Sequence, residues 1–360
     1  MFTSTTMIRM RILLRLTSCS RDVIYRARQQ LLFQRIAFPC YTSDLRSYSN
    51  VNNSSAAKYT PRRSVLYVPG NDERKINKVT SLDVDCIVLD CEDGVAMNRK
   101  EEARNTIAGC LGKLADCKAD ICVRVNAVSS GLMEDDLKTV FQSSHLPQTI
   151  MLPKVNTPEE VHRFTKRLKE IMTEEQKQKK FGLIIMLESA VALMNINQIF
   201  SKTVALGRSE TLYNLEGVVF GSDDFCADIG ATRTNEASEL IYARQKIVTY
   251  AKAWRLQVID LVYIDYKDLP GLKHQAEEGA RMGFTGKQVI HPEQVPVVNA
   301  AFSPSQAKVQ WAKDMIQAFD EHQKHGKGAF VFDGKMIDMP LVLQARNIVQ
   351  MAQAIKIPVT

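Results

Sequence analysis

Several charged residues close apolar runs in this chain. The run 183–187 (Leu-Ile-Ile-Met-Leu) leads straight into Glu188, and 217–221 is followed by Asp223 and Asp224. Asp90, Glu92 and Asp93 end or follow the run at 86–90, Arg124 lies within 121–126, Lys154 ends 149–154 and Asp265 ends 257–265. A carboxylate reached through a buried apolar run is costly to ionise unless a cation joins it. Glu188 and Asp224 could each give a carboxylate oxygen to a divalent ion, with water and substrate completing an octahedron. That is the usual manner of Mg2+. Arg124 beside them would be a fixed positive charge for an oxyanion or enolate. The chain has 6 His, and His291, followed by Pro292, reads as a structural marker at a rim rather than a base.

The elements that must carry these residues alternate regularly from residue 62. Strand candidates are 64–69, 86–90, 121–126, 149–154, 182–188, 217–221, 257–265 and 286–290. Amphipathic helices lie between them. One helix has Val161, Phe164, Leu168 and Ile171 on a single stripe, and another has Leu240, Ala243, Ile247, Ala251 and Trp254. Asp72 and Asn235 read as helix N-caps. Eight such units predict a (β/α)8 TIM barrel over 62–302, whose strand C-termini converge on one mouth. A doubly wound sheet is the alternative, but no Gly-x-Gly-x-x-Gly or P-loop supports it. Residues 303–360 read as a C-terminal helical extension with a lid segment.

The formal charge of +7 is local. Residues 1–50 hold eight Arg, no Lys and two Asp, which is +6 of it. The remainder is nearly neutral, which argues against nucleic acid as a partner. The leader is Arg- and hydroxyl-rich with interleaved apolar residues, the composition of a mitochondrial transit peptide over 1–48. Residues 49–61 read as a linker, and the expected compartment is the mitochondrial matrix. No apolar run is long enough for a membrane span. The 8 Cys contain no Cys-x-x-Cys pair, so there is no structural zinc signature, and Cys86, Cys91 and Cys122 read as small hydrophobes.

Taken in order, Leu66-Tyr67-Val68-Pro69-Gly70-Asn71, Leu89-Asp90-Cys91-Glu92-Asp93-Gly94, Val123-Arg124-Val125-Asn126, Leu152-Pro153-Lys154, Leu187-Glu188-Ser189, Gly221-Ser222-Asp223-Asp224-Phe225 and Gly286-Lys287-Gln288-Val289-Ile290-His291-Pro292 resemble the citrate lyase β-subunit-like family over about residues 62–355. The resemblance implies a Mg2+-dependent carbon–carbon lyase that cleaves (3S)-citramalyl-CoA to pyruvate and acetyl-CoA, with weak malate synthase or β-methylmalate synthase activity, working as a homotrimer. It implies Glu188 and Asp224 as metal ligands and Arg124 as a catalytic and substrate residue. Tyr67, Arg74, Gln288 and Val289 are implied as further substrate contacts. The long C-terminal segment favours a free-standing enzyme acting on a CoA thioester over one acting on a carrier-protein thioester.

A proton carrier is still required. Asp338 lies between Gly334-Lys335 and Pro340, flanked by Met336, Ile337 and Met339. Such a segment can act as a water-excluding lid, and the resemblance implies a catalytic role for Asp338. The segment could reach its own barrel or a neighbour's in a trimer, and a helix after residue 304 that carries the chain away from its own mouth favours the neighbour. The competing reading is a helix cap. Two other functions fit the residues: a pyruvate-type class II aldolase acting on a free acid, and a non-catalytic CoA-binding protein. Arg62-Arg63 and Arg74-Lys75, read as basic clusters near the mouth, favour the CoA thioester.

Overall fold

The strand ladder begins at Ser64–Pro69 (β1), which pairs in parallel with Cys86–Asp90 (β2) on one side and Gly286–Val289 (β8) on the other. In the computed structural model, which describes residues 59–324 and 330–355, these three join Asp120–Arg124 (β3), Thr149–Leu152 (β4), Phe181–Leu187 (β5), Tyr213–Phe220 (β6) and Gln257–Asp260 (β7). Together they form a closed parallel barrel in the order β1 to β8. Residues 1–48, read above as a transit peptide, most of 49–61, read as a linker, and the chain's last residues lie outside the described residues.

Around the barrel run helices Glu73–Val79 (α1), Lys100–Cys110 (α2), Met133–Phe141 (α3), Pro158–Ile171 (α4), the short Glu174–Lys177 (α5), Ala190–Ser209 (α6), Ser222–Ile229 (α7), Ile241–Ala253 (α8), Leu269–Met282 (α9) and Gln294–Ala301 (α10). Each expected stripe is the buried one. Val161, Phe164 and Leu168 face inward on α4, and Ala243, Ile247 and Ala251 on α8. Asp72 caps α1 by accepting from the Lys75 N–H at 3.1 Å. Asn235 caps nothing. Thr234 beside it orders the approach to α8, its hydroxyl accepting from the Ala237 N–H while Glu239 accepts from the Thr234 N–H.

Period-two alternation puts one face of every strand inside the ring. Val65, Cys86, Val88, Cys122, Met151, Ile184, Met186, Val219 and Ile259 form its apolar middle, with Tyr67 packed against it. Two residues further along the same faces come Asp90, Arg124 and Glu188. The inner wall is therefore apolar in its middle and polar at both rims, with Asp120 and Thr149 on the same face where β3 and β4 begin.

β1 and β2 have the expected bounds, β3, β4, β5 and β8 shift by one or two residues at an end, and β6 and β7 differ most. β6 starts at Tyr213: Asn214 interrupts the apolar pattern but still pairs with Gly182, and the register shift between Leu183 and Ile184 skips Glu216. β7 stops at Asp260. The apolar Leu261 and Tyr263 that follow are buried, but Lys287 Nζ donates to the Leu261 carbonyl and Gln294 Nε2 to the Tyr263 carbonyl. Side chains replace the ladder there, and Asp265 is an exposed loop residue.

Beyond the barrel, Gln306–Lys324 (α11) and Met339–Ala354 (α12) pack on each other, with the hairpin Phe330–Phe332 (β9) and Lys335–Ile337 (β10) against them. Ala312, Met315, Phe319, Ile337, Val342 and Ala345 make a separate apolar cluster. No helix of the described residues is long and apolar enough to cross a membrane.

Candidate active site at the barrel mouth

The β2–β3 register makes Asp90 and Arg124 Cα partners. Arg124 Nε donates to Asp90 Oδ1 at 2.7 Å and Nη2 to Oδ2 at 2.6 Å, a bidentate fork. Asp90 also accepts the N–H groups of Glu92 and Gly94, both at 2.8 Å. A Cβ on Gly94 would meet Asp90 Oδ2 at 2.5 Å, so a glycine is needed to wrap this turn around the carboxylate. The ammonium of Lys100 ties the turn down by donating to the carbonyls of Cys91 and Glu92. Arg124 is thus locked, with its guanidinium 4.8 Å from the Tyr67 ring centroid. Its remaining nitrogen, Nη1, lies 3.1 Å from Glu92 Oε2.

Burial pushes the Glu188 carboxyl up to about 8, and the Glu92 and Asp224 carboxylates add to the rise, while Arg124 and the Lys154 N–H oppose it. Burial raises the Glu92 carboxyl as well. Gly221 gives Glu188 its space, since a Cβ there would lie 2.4 Å from Glu188 Oε1.

The two expected metal ligands have a neighbour that sequence reasoning left out of the site. Lys154 donates its backbone N–H to Glu188 Oε2 at 2.7 Å. Its ammonium lies 2.8 Å from Glu92, 2.9 Å from Asp93 and 3.4 Å from Asp224. Glu188 and Asp224 therefore do have a counter-charge, supplied by the end of β4. The signal was visible as Lys154 closing an apolar run.

The mouth fits a hard divalent cation. Its donors are carboxylate oxygens, Gly221 leaves room for one of them, and a cationic nitrogen already lies among them. Among the described residues no group of three or more His, Cys, Asp or Glu side chains is arranged to hold a metal ion by itself.

A cleft of about 630 Å³ opens beside Arg124 and Tyr67 and runs past Gln288 to Lys75 and Lys78. Gln288 is fixed in place, its amide donating to the Phe220 and Asp260 carbonyls. Three expectations change here. Arg74 is exposed on α1 and does not line the cleft, where Lys75 and Lys78 of the same helix do. Val289 alternates to the outer face of β8 and is fully buried, so Ile290 rather than Val289 lines the cleft. Arg62 and Arg63 precede β1 and stand at the opposite end of the barrel, bound to Asp120 and Asp85. His291 is a rim residue as expected, stacked on Tyr266 with ring centroids 4.7 Å apart.

Asp338 is not among the residues gathered at the mouth. It is exposed at the N-terminus of α12, and its side chain makes no capping hydrogen bond.

Comparison with known proteins matches residues 63–292 to the HpcH/HpaI aldolase/citrate lyase family model. Human mitochondrial citramalyl-CoA lyase is 53% identical over 305 residues, which is 85% of this chain and 89% of the human protein. A (3S)-malyl-CoA thioesterase of Cereibacter sphaeroides is 32% identical over 296 residues, 82% of this chain and 96% of its own. Among solved structures, Mycobacterium tuberculosis CitE in complex with magnesium, acetoacetate and coenzyme A matches with a TM-score of 0.64 at 25% identity, covering 82% of this chain and 100% of that one. A Burkholderia xenovorans citrate lyase shares the fold at a TM-score of 0.70 and 19% identity, covering 83% and 94%. The barrel, its acid-rich mouth and these matches together place the chain in the HpcH/HpaI aldolase/citrate lyase family of carbon–carbon lyases.

Proposed function

We propose that this protein is a divalent-metal-dependent lyase that cleaves (3S)-citramalyl-CoA to pyruvate and acetyl-CoA in the mitochondrial matrix. One observation carries the reading. Five carboxylates face two cations at the mouth, immediately beside a cleft whose outer end carries Lys75 and Lys78. The acid excess suits a bound cation, and the lysines suit the phosphates of CoA. The human relative's name and the magnesium and coenzyme A in the Mycobacterium structure support the same assignment.

Glu188 and Asp224 hold Mg2+ in this reading. When bound, the ion polarises the oxygens of the 2-hydroxy acid end as a Lewis acid. Arg124, held rigid by Asp90 and with Nη1 against Glu92, offers a fixed positive charge to negative charge developing on oxygen, and its rigidity means little reorganisation is needed during reaction. Tyr67 walls the cleft beneath it, and Gln288 lines the far side.

Cleavage removes the proton of the tertiary hydroxyl, breaks the bond between that carbon and the thioester methylene, and leaves an acetyl-CoA enolate that must be protonated at carbon. Asp338 of a neighbouring subunit in a homotrimer is assigned both transfers: its carboxylate takes the hydroxyl proton and returns it to the enolate carbon. Its exposed position, between exposed Met336 and Met339, supports a segment that meets another surface. The reverse chemistry would give weak malate synthase-type condensation. The transit peptide over 1–48 supplies the matrix address, in keeping with the mitochondrial relatives.

Mass spectrometry of products from citramalyl-CoA tests the function. Pyruvate and acetyl-CoA should form with Mg2+ and cease with chelator. Equal turnover of the free acid would instead favour the class II aldolase reading, and no turnover of either would favour a binding protein. Mixing Asp338→Asn with Arg124→Ala subunits should restore partial activity if the site is shared between chains.

A further inference from the structure

The assignment of Glu188 and Asp224 as a cation pair underlies this inference. Lys154 touches both. Its main-chain N–H holds Glu188, and its ammonium lies 3.4 Å from Asp224. It makes this double contact from a left-handed backbone, φ 53°, a conformation that residues with a Cβ seldom adopt. The chain accepts that conformation at the end of β4, and the result is a cation directed into the carboxylates.

A divalent ion and an ammonium cannot both sit against the Asp224 carboxylate without strong repulsion. The ammonium has somewhere else to go. Glu92 and Asp93, at 2.8 and 2.9 Å, keep it in the mouth once Asp224 is given up. We propose that Lys154 is a built-in counter-ion that competes with the divalent cation for Asp224, so that the metal loads by displacing the ammonium onto Glu92 and Asp93. Lys154 is therefore a positioning residue. It holds the acid cluster together without metal and weakens metal binding enough that oxygens from the substrate's acid end contribute to retention.

The size of the effect follows from the spacing. Even at the dielectric of water, a unit pair at this distance is worth about tenfold in an equilibrium constant. Titration of the full-length protein with Mn2+, with free Mn2+ followed by electron paramagnetic resonance, reads the affinity directly without turnover. Lys154→Met should bind Mn2+ about tenfold more tightly than wild type or better. Lys154→Gln carries the same expectation should the Met variant fold poorly, and Lys154→Arg should stay within about threefold of wild type because the charge remains. Circular dichroism melting establishes that each variant is folded. Unchanged or weaker affinity in the neutral variants, with normal wild-type binding, overturns the competition and leaves the metal pair standing. No Mn2+ binding by wild type or variants removes both the competition and the metal assignment.

Discussion

Both ends of the barrel bury an arginine among acids, and they do opposite things with it. At the floor, Arg62 is 2% exposed, with Nε 2.6 Å from Asp120 and Nη2 2.6 Å from Glu216 and 3.1 Å from Thr149. Thr149 in turn donates to Asp120 at 2.8 Å. Arg63 beside it forks onto Asp85 and reaches Ser303. Most of those groups are spent on one another, although Arg62 Nη1 has no hydrogen-bond partner among the described residues, and the cluster closes the barrel. At the mouth, Arg124 and Lys154 face Asp90, Glu92, Asp93, Glu188 and Asp224, so negative charge is left over, and Glu188 is pushed up to about 8. Charges that satisfy each other make a plug, and an uncompensated set makes a site that takes up a cation or a proton.

The sharpest test is Glu188→Gln. Metal-dependent turnover should fall by ~10³ or more, because the proposed Lewis acid would lose one of its two carboxylate ligands. The metal-free variant should still melt at or above wild type at pH 8, since a poorly solvated carboxylate has been replaced by a neutral amide. A large loss of melting temperature would make the mouth resemble the floor and defeat the contrast.

Arg62→Met probes the other end. Stranding Asp120 and Glu216 should cost about 3–5 kcal/mol of unfolding free energy, measured by urea denaturation. The kcat of the folded fraction should hold. Lost kcat at intact stability would mean that the floor takes part in chemistry.

Arg124→Lys keeps the charge and loses the fork onto Asp90, so kcat should fall ~10²–10³-fold. A variant within about threefold of wild type would be incompatible with a loss on that scale.

The smallest effect is in pH. In the metal-free protein Glu188 is protonated below about 8, and a metal needs the carboxylate. Affinity should therefore drop by about tenfold per pH unit below that value and level off above it, as isothermal titration would show. The linked stability has a definite sign. The folded pKa is raised, so this group's stabilising contribution is complete below the unfolded value of 4.5 and is lost as pH rises through about 8. Melting of the metal-free protein from pH 5 to 9 should show that decline, and Glu188→Gln should remove it.

Much of the frame was legible beforehand. β1 and β2 have the expected bounds, and the stripes on α4 and α8 are buried as their periodicity demands. Cys86, Cys91 and Cys122 are buried hydrophobes. Asp90, Arg124 and Glu188 stand where apolar strands end, as the barrel reading required. Apolar content alone misled at 261–265, because a buried loop whose carbonyls are satisfied by Lys287 and Gln294 has the composition of a strand.

Alternation, helical period and the apolar run before Glu188 are properties of neighbouring residues, so the sequence alone determined the barrel, its inner face and the acids at its strand ends. Which cation serves which acid is a property of distance across a closed ring. Arg62 and Arg124 look alike as residues beside apolar runs. Parallel strand direction sends the one before β1 to the floor and the one ending β3 to the mouth. Only the β2–β3 register brings Asp90 opposite Arg124, and only the left-handed turn at Lys154 brings an ammonium to Asp224. Those contacts span tens of residues in the chain and a few ångströms in space, and charge acts over the second distance.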